Sequence, residues 1–500
     1  MISAGVHGVR SRIQASGWWG LWVLLGLGLL LRLGAQVFYG STVYYYSGDA
    51  TRYMRLSISG VSGLFGDNTM PAGYPAFLAI MRHIDSWLPL TILTQHLLGL
   101  VGAVLLYAAV RSVGTPRWAA LLPVAVVALN GDELFVEHGV LTEALWMPLL
   151  ALAMYLLARS IRDERPRRWL VAGGIAVACT ALVRSVSDVL PVVAAIWAAI
   201  ALPGLGSQRL KNAGAVLLPA IAVLGIYFVV SKPIAGGYSG LTEDSGFSLY
   251  ARVAQFADCD KFTPPPGTRG LCVTTPPSER AGPFYWAWDP RSPLRTKFHF
   301  NNIFDSKKQE ELGSFARQAI IHQPVEYALT VARDFSLFFI PGAGTPRPDS
   351  GQYEKDMSFG AVDAATDSAL ADKYEEAYTG VGSGVPARAA RDVFGGYQAL
   401  FRIDGRLLFL LIALGLSGCF LGPTARRSGA ALFLACGLVL LVLPPLVSSY
   451  DVRYALPPIN LFAAAAALGV AALTEKLPSD PVRRKQQVPE ADALTEARSV

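Results

Sequence analysis

Long apolar stretches recur along the chain and constrain its fold more than any other feature. A helix needs about 20 apolar residues to cross a bilayer. Ten stretches reach or approach that length: 18–38, 88–110, 117–131, 140–159, 168–184, 187–203, 212–231, 404–422, 428–449 and 454–474. Only 16% of the residues are charged, against roughly 25% in soluble domains. The sequence therefore predicts an all-α polytopic membrane protein with about ten transmembrane helices.

Basic residues gather in alternate loops, which predicts the orientation. They lie at positions 10–12, 111–117, 159–168, 209–211, 426–427 and 483–485. Because such loops stay in the cytoplasm, both termini are predicted to be cytoplasmic, with an uncleaved first helix in the cell membrane. The net charge of +6 is accounted for by these loops and does not indicate a nucleic-acid partner.

The spans divide the chain into four parts. Residues 1–231 form an N-terminal transmembrane module with spans 1–7 and outer loops at 39–87 and 131–140. Residues 232–403 form a mixed, mainly helical extracytoplasmic segment, whose weak hydrophobic pattern predicts no large core of its own. Residues 404–474 hold spans 8–10, and 475–500 form a polar tail predicted to be disordered in the cytoplasm.

Two features of the extracytoplasmic segment give local predictions. Pro324 should divide an apolar-periodic stretch into two helices, the second of them amphipathic and lying on the outer membrane surface. Cys259 and Cys272 flank a Pro/Gly-rich turn, and in an oxidising compartment they should form a disulfide. A metal pair is the alternative, but no further ligands lie nearby in the sequence.

Ionisable side chains next to membrane spans are costly, so each is a functional candidate. These residues gather at the predicted outer face. Asp49 lies in the first outer loop and Glu143 at the start of the fourth span. The second outer loop contains Asp132, Glu133, Glu137 and His138. Guanidinium groups bind phosphate through two donors. The candidates to bind an anionic headgroup are Arg52, Arg184 and Arg453, and Tyr53, Tyr74 and Tyr454 are candidates to line a groove.

Each candidate has a structural alternative. Asp49 could be a turn former, and Asp132 could cap the following helix. Glu137 and His138 could pair with each other or with an arginine of the bundle. Arg184 could pair with Asp188, and Arg453 with Asp451. Glu143 needs a partner if it is buried, either an arginine or a hydroxyl. The GDN turn assigns Asp67 a structural role.

Four segments resemble the GT-C superfamily of membrane glycosyltransferases, most closely its protein O-mannosyltransferase and lipid A aminoarabinose transferase branch, in an actinobacterial type. These segments are SGDATRYMR, PAGYPAFLAIM, LNGDELFVEHGVLTEALWMPLLALAMYLL and SSYDVRYALPPINLFAAAAALG. The resemblance implies a GT-C-like fold and transfer of a hexose or pentose from a polyprenyl-phosphate donor to an extracytoplasmic hydroxyl. It assigns Asp49 as the catalytic base, and one base acting in one direct displacement would invert the anomeric centre.

The resemblance leaves several points open. Many relatives have adjacent Asp and Glu where this chain has Asp49 and Ala50, so Asp49 lacks the neighbouring acid that could help to bind a metal. A divalent cation (Mg²⁺, Mn²⁺ or Ca²⁺) would then take its ligands from the second-loop acids. The alternative is that the protein needs no cofactor. The acceptor is an envelope glycan, a lipid or a protein. A polytopic transporter or flippase is the alternative function, and a non-catalytic envelope scaffold is a third.

Overall fold

The computed structural model describes residues 3–40, 49–67, 69–234, 240–341, 358–359, 376–380 and 386–476, with side chains from residue 18 onwards. Within these ranges the secondary structure is helical and contains no strand. The helices are α1 Ser3–Gly34, α2 Asp49–Ile58, α3 Gly60–Leu64, α4 Gly73–Ile84, α5 Leu88–Ser112, α6 Arg117–Leu129, α7 Gly131–His138, α8 Glu143–Arg159, α9 Pro166–Val183, α10 Leu190–Ala201, α11 Ser207–Ser231, α12 Ser245–Val253, α13 Pro283–Trp288, α14 Pro293–Thr296, α15 Ser306–His322, α16 Pro324–Leu337, α17 Arg388–Leu400, α18 Gly405–Leu421, α19 Thr424–Val447 and α20 Leu456–Lys476.

Each predicted span contains a helix, but the count of ten crossings is not confirmed. Six helical segments of the described chain are long and apolar enough to cross a membrane, or seven if α6 and α7, bent by 48° at Asn130, form one broken span. The helices α6, α8 and α10 have only 13, 17 and 12 residues. They fall short of the straight length that a bilayer requires. These helices support a multi-pass membrane protein.

Most of the predicted second outer loop, 131–140, is a helix. Helix α7 spans Gly131–His138, and the side chain of Asn130 accepts a hydrogen bond of 3.0 Å from the backbone N–H of Asp132. Asn130 is therefore the N-cap, and the structural alternative in which Asp132 caps a helix does not apply to α7. All eight residues of α7 are buried, so this short helix lies inside the protein.

Residues 232–403, the segment predicted to be extracytoplasmic, have a core of their own, contrary to prediction. Buried aromatic side chains from α12, α13, α15 and the loops between them pack into a cluster separate from that of the bundle, including Phe247, Tyr250, Trp286, Phe300 and Phe315. Their spacing is irregular because they come from short helices and loops, and periodicity therefore did not reveal them. The predicted disulfide between Cys259 and Cys272 is present and closes a loop beside this core.

Pro324 divides the two helices as predicted, since α15 ends at His322 and α16 begins at Pro324. The hydroxyl of Tyr327 donates a 2.9 Å hydrogen bond to the carbonyl of Leu446, near the end of α19. This bond fixes α16 at one end of the bundle. Its location on the membrane surface stays a prediction. The predicted tail lies almost wholly outside the described residues.

Candidate active site

An ion pair joins the first outer loop to the last span. Asp49 is the first residue of α2, and Arg453 lies in a short 3₁₀ helix directly before α20. Both terminal nitrogens of Arg453 contact the same oxygen of Asp49, Nη1 at 3.1 Å and Nη2 at 3.2 Å from Oδ2. The side chain of Arg453 is 7% exposed and that of Asp49 is 25% exposed. The carboxylate is therefore the solvent-facing member of the pair.

Glu143 connects this pair to a second arginine. Its Oε1 lies 3.3 Å from Nε of Arg453 and 2.7 Å from Nη1 of Arg184. The side chain is only 1% exposed, and Thr142 contacts both Glu143 and Arg184 through its hydroxyl. Glu143 begins α8, where the helix dipole also favours a negative charge. The prediction that a buried Glu143 requires a partner is confirmed.

Glu143 is a partner of both arginines that the structural alternatives did not include. Arg184, at the end of α9, bonds to Glu143 and Thr142, whereas Asp188 is exposed. The side chain of Asp451 accepts a hydrogen bond from the backbone N–H of Arg453 and caps the 3₁₀ helix. The two guanidinium groups are thereby directed to one site at the end of the bundle.

Aromatic rings surround the guanidinium groups. The Cζ of Arg184 lies 5.5 Å from the ring centroids of both Trp146 and Tyr454, and Arg453 lies 5.8 Å from the ring of Tyr454. The indole N–H of Trp146 donates to the hydroxyl of Ser187 at 2.7 Å. Such contacts stabilise cations that have left water, and they place the predicted Tyr454 in the site.

Tyr53 and Tyr74 connect the site to the rest of the bundle. Their rings meet edge to face at 5.0 Å, and the hydroxyl of Tyr74 donates to Oε1 of Gln95 at 2.7 Å. Burial, and then the charge of Asp49, raises the pKa of Tyr53 above that of an ordinary phenol. Tyr53 therefore stays neutral and can act as a hydrogen-bond donor.

Arg52 does not contact the pair of Asp49 and Arg453 in this structure. Its guanidinium bonds to Asp67, with the shorter contact at 2.9 Å, and to the hydroxyl of Thr69. Arg55 also contacts Asp67, at 3.1 Å. The carboxylate of Asp67 is fully buried, which agrees with the structural role predicted for it. Asp67 thus fixes the fold of the first outer loop.

Asp132 anchors the extracytoplasmic segment instead of reaching Asp49. Its carboxylate accepts hydrogen bonds from Nη2 of Arg402 at 3.0 Å and from the amide of Gln398 at 2.7 Å. A Cβ at Gly131 would lie 2.4 Å from the Cα of Gln398, so α17 packs directly on α7. Asp132 serves in this structure as a docking point between the two helices.

Glu137 and His138 belong to a second, buried cluster. Arg32 of the first span binds both oxygens of Glu137, at 2.7 and 2.8 Å. His96 lies 3.1 Å from Glu137 and 3.2 Å from His138, and His138 reaches the carbonyl of Gly40 at 3.0 Å. The predicted alternative of an arginine partner within the bundle therefore holds for Glu137.

Glu133 lies beside this cluster, within a small cavity. The amide nitrogen of Asn460 contacts its Oε1 at 2.5 Å. The cavity is also lined by Gly99, Gly102 and Glu137. Its volume of about 10 Å³ leaves room for about one water molecule. A Cβ at Gly99 would lie 1.8 Å from Glu137, so only glycine lets this carboxylate reach Arg32.

The second-loop acids do not form the ligand set considered for a divalent cation. Such cations take several oxygen ligands that converge on one point. Asp132, Glu133 and Glu137 instead bond to Arg402, Asn460 and Arg32, respectively. In the part of the chain that the structure describes, no three His, Cys, Asp or Glu side chains converge as a metal site.

Sequence reasoning missed several residues that organise these clusters. Arg32 is a single charged residue inside an apolar run, whereas His96 directly follows Thr94 and Gln95 in another; both are buried. The high cost of a charge inside a bilayer was a signal that could have identified Arg32. Trp146, Gln95 and Asn460 carried no comparable signal, because isolated aromatic and amide residues are common in membrane helices.

Comparisons with known proteins bear on the site. Residues 69–231 match a family model described as dolichyl-phosphate-mannose-protein mannosyltransferase. This range is about a third of the chain and includes Glu143 and Arg184, but not Asp49 or Arg453. It supports the resemblance to the GT-C superfamily and a membrane glycosyltransferase of that type. The actinobacterial branch is not confirmed, and neither hexose nor pentose is specified.

A search of curated proteins gave no significant match. Among solved structures, the chain is similar to the S. cerevisiae protein O-mannosyltransferase Pmt1–Pmt2 complex bound to the sugar donor, with 17% identity and a TM-score of 0.34. The similarity covers 43% of this chain and 33% of that chain, so this chain spans about a third of the matched protein. A likeness at this level does not bear on what this chain binds or transfers.

Proposed function

We propose that the protein is an integral membrane glycosyltransferase that moves a sugar from a polyprenyl-phosphate donor to an extracytoplasmic hydroxyl, with inversion at the anomeric carbon. The observation that carries this proposal is the contact of Asp49 with Arg453 at the end of the bundle. It places a carboxylate that can accept a proton beside a guanidinium that can receive a phosphate. The family match of residues 69–231 adds support.

The transfer step requires a base and a stabilised leaving group. The acceptor oxygen attacks the anomeric carbon and forms the new C–O bond, while its proton passes to an oxygen of Asp49. The bond between the anomeric carbon and the phosphate oxygen breaks, and its electron pair leaves with the polyprenyl phosphate. A positioned general base contributes roughly 10²–10⁴-fold in rate.

The arginines stabilise the charge that develops on the phosphate. Arg453 and Arg184 are held by Glu143 in a mostly buried environment. Fixed cations in such an environment stabilise a transition-state charge more strongly than they would in water. The ring of Tyr454 packs against both guanidinium groups, and Tyr53 lies close enough to Asp49 for that charge to raise its pKa.

The membrane arrangement is part of the proposal. The site faces outward from the cell membrane with both termini in the cytoplasm, so that the polyprenyl chain stays in lipid while the sugar projects out. Ten crossings, including the short helices α6, α8 and α10, would give this topology. An envelope glycan, lipid or protein supplies the hydroxyl. A divalent cation stays a hypothesis, tested by measuring transfer with EDTA and after adding Mg²⁺, Mn²⁺ or Ca²⁺.

Proteoliposomes containing the purified protein test the proposal. A panel of polyprenyl-phosphate hexoses and pentoses is supplied from outside together with an envelope extract as acceptor. We expect one donor to give labelled product and free polyprenyl phosphate, with the anomeric configuration inverted. A transporter would move label across the membrane without forming product, and a scaffold would do neither. Either result would overturn the proposed function.

A further inference from the structure

Both guanidinium groups of the candidate site already have carboxylate partners. Arg184 bonds to Glu143, and Arg453 contacts both Glu143 and Asp49. A phosphate entering this site must therefore compete with a carboxylate for a cation. The geometry of Arg453 indicates which carboxylate is displaced.

Arg453 contacts its two partners through different atoms. Its Nε lies 3.3 Å from Glu143, which is almost fully buried. Its terminal nitrogens Nη1 and Nη2 contact Asp49, which is a quarter exposed. A ligand that arrives from solvent or from the membrane surface meets the Asp49 end first. The terminal nitrogens can thus change partner while Glu143 keeps the guanidinium in place.

We propose that the donor phosphate replaces Asp49 as the partner of the Arg453 terminal nitrogens, so that donor binding releases the carboxylate that serves as base. This inference rests on the proposed function and extends it with an order of events. An ion-paired carboxylate is a poorer proton acceptor than one that has lost its cation. The base therefore becomes effective only after the donor has bound.

The exchange also balances the charges of the reaction. The donor phosphodiester carries one negative charge, and the polyprenyl phosphate product carries up to two. As the leaving oxygen gains charge, Asp49 gains the acceptor proton and becomes neutral. Arg453, already paired with the phosphate since donor binding, thus faces the group that gains charge, while the released carboxylate of Asp49 is neutralised by the acceptor proton. Glu143 is a positioning residue in this scheme, because it holds both arginines without contacting the reacting atoms.

Binding of a polyprenyl monophosphate to the full-length protein in nanodiscs tests the exchange. Asp49→Asn removes the competing charge and retains the side-chain size. We expect this variant to bind the lipid phosphate roughly tenfold more tightly than the wild type. This is the change in affinity expected when the phosphate no longer has to displace one charge-assisted hydrogen bond between Asp49 and Arg453. The tightening should disappear in Asp49→Asn/Arg453→Gln. Binding of the uncharged polyprenol should be the same in all variants.

Controls separate the exchange from a loss of structure. Asp188→Asn makes the same substitution at an exposed position on the same end of the bundle and should bind the lipid phosphate like the wild type. If Asp49→Asn does not fold, Asp49→Ser is used in its place. A merely structural role for Asp49 predicts weaker binding in both variants, and that result would overturn the exchange.

The outcomes also separate this inference from the proposed function. If the wild type transfers sugar but Asp49→Asn binds lipid phosphate no more tightly, the exchange is wrong and the function stands. If the tightening occurs but the wild type transfers no sugar from any donor, the exchange holds as a property of an anion site and the glycosyltransferase proposal is wrong. Tightening that persists without Arg453 also contradicts the exchange.

Discussion

The carboxylate of Asp49 lies 3.1 Å from Nη1 of Arg453, although 404 positions separate the two residues in the chain. The contact joins the first outer loop to the helix that ends the bundle. Glu143 lies on the other side of the guanidinium and ties it to Arg184. The candidate site is therefore assembled from four separate regions of the sequence, and its charges depend on one another.

Glu143→Gln should weaken both stability and transfer. The substitution leaves two largely buried guanidinium groups without their shared carboxylate, and breaking a buried ion pair in this way costs about 3–5 kcal/mol. We expect a lower melting temperature in detergent and a loss of transfer at saturating donor. Asp188→Asn is the matched control and should change neither. A Glu143→Gln protein with wild-type stability would show that the pairs to Arg184 and Arg453 contribute nothing.

The cluster around Arg32 is predicted to stabilise the fold without taking part in transfer. Arg32→Leu leaves Glu137 buried and uncompensated, so we expect strong destabilisation. The double variant Arg32→Leu/Glu137→Leu removes both charges, and replacing a buried ion pair by apolar residues is often neutral or stabilising. It should recover most of the lost melting temperature and retain transfer. A double variant that folds but transfers no sugar would place this cluster in the reaction.

Asp132 should act through the docking of α17. Asp132→Asn keeps the size of the side chain but weakens its bonds to Arg402 and Gln398. We expect faster proteolysis in the region of α17. Sugar transfer by this variant should respond to EDTA in the same way as transfer by the wild type. Arg402→Gln should reproduce the proteolysis, because it removes the same bond from the other side. A change in metal response confined to Asp132→Asn would instead support a role as metal ligand.

The disulfide should stabilise the separate core of residues 232–403. Cys259 and Cys272 are 13 positions apart, and closing a loop of about 15 residues contributes about 3 kcal/mol in the chain-entropy account. Cys259→Ser/Cys272→Ser should therefore lower the unfolding temperature of this segment. Reduction should lower it in the wild type and leave the double variant unchanged. Equal sensitivity of both proteins to reductant would contradict this role.

The sequence predicted where the helices lie along the chain better than it predicted which helices contact one another. Apolar runs located a helix in each of the ten predicted spans, and charges beside those runs nominated Asp49, Glu143, Arg184 and Arg453. No local rule could pair Asp49 with Arg453, since their contact depends on how distant helices pack. The number of crossings stays a prediction, because breaks such as the one at Asn130 leave short helices beside the six or seven helical segments of the described chain that are long enough to cross.

Other differences between expectation and structure have equally local causes. Charged residues in the second outer loop resembled a ligand set in sequence, but each one meets a different partner in the fold. Arg32 was overlooked because averaging over an apolar run hides a single charge, although such a charge is costly in a bilayer. The core of the extracytoplasmic segment was missed because its aromatic residues come from short helices and loops.

Single-turnover transfer by wild type and Asp49→Asn, at saturating donor in proteoliposomes, tests the central claim most directly. If Asp49 is the base, Asp49→Asn should bind donor, fold like the wild type and transfer sugar at least roughly 10²-fold more slowly, while Asp188→Asn transfers at the wild-type rate. Transfer by a folded Asp49→Asn protein at a rate close to that of the wild type would contradict the assignment.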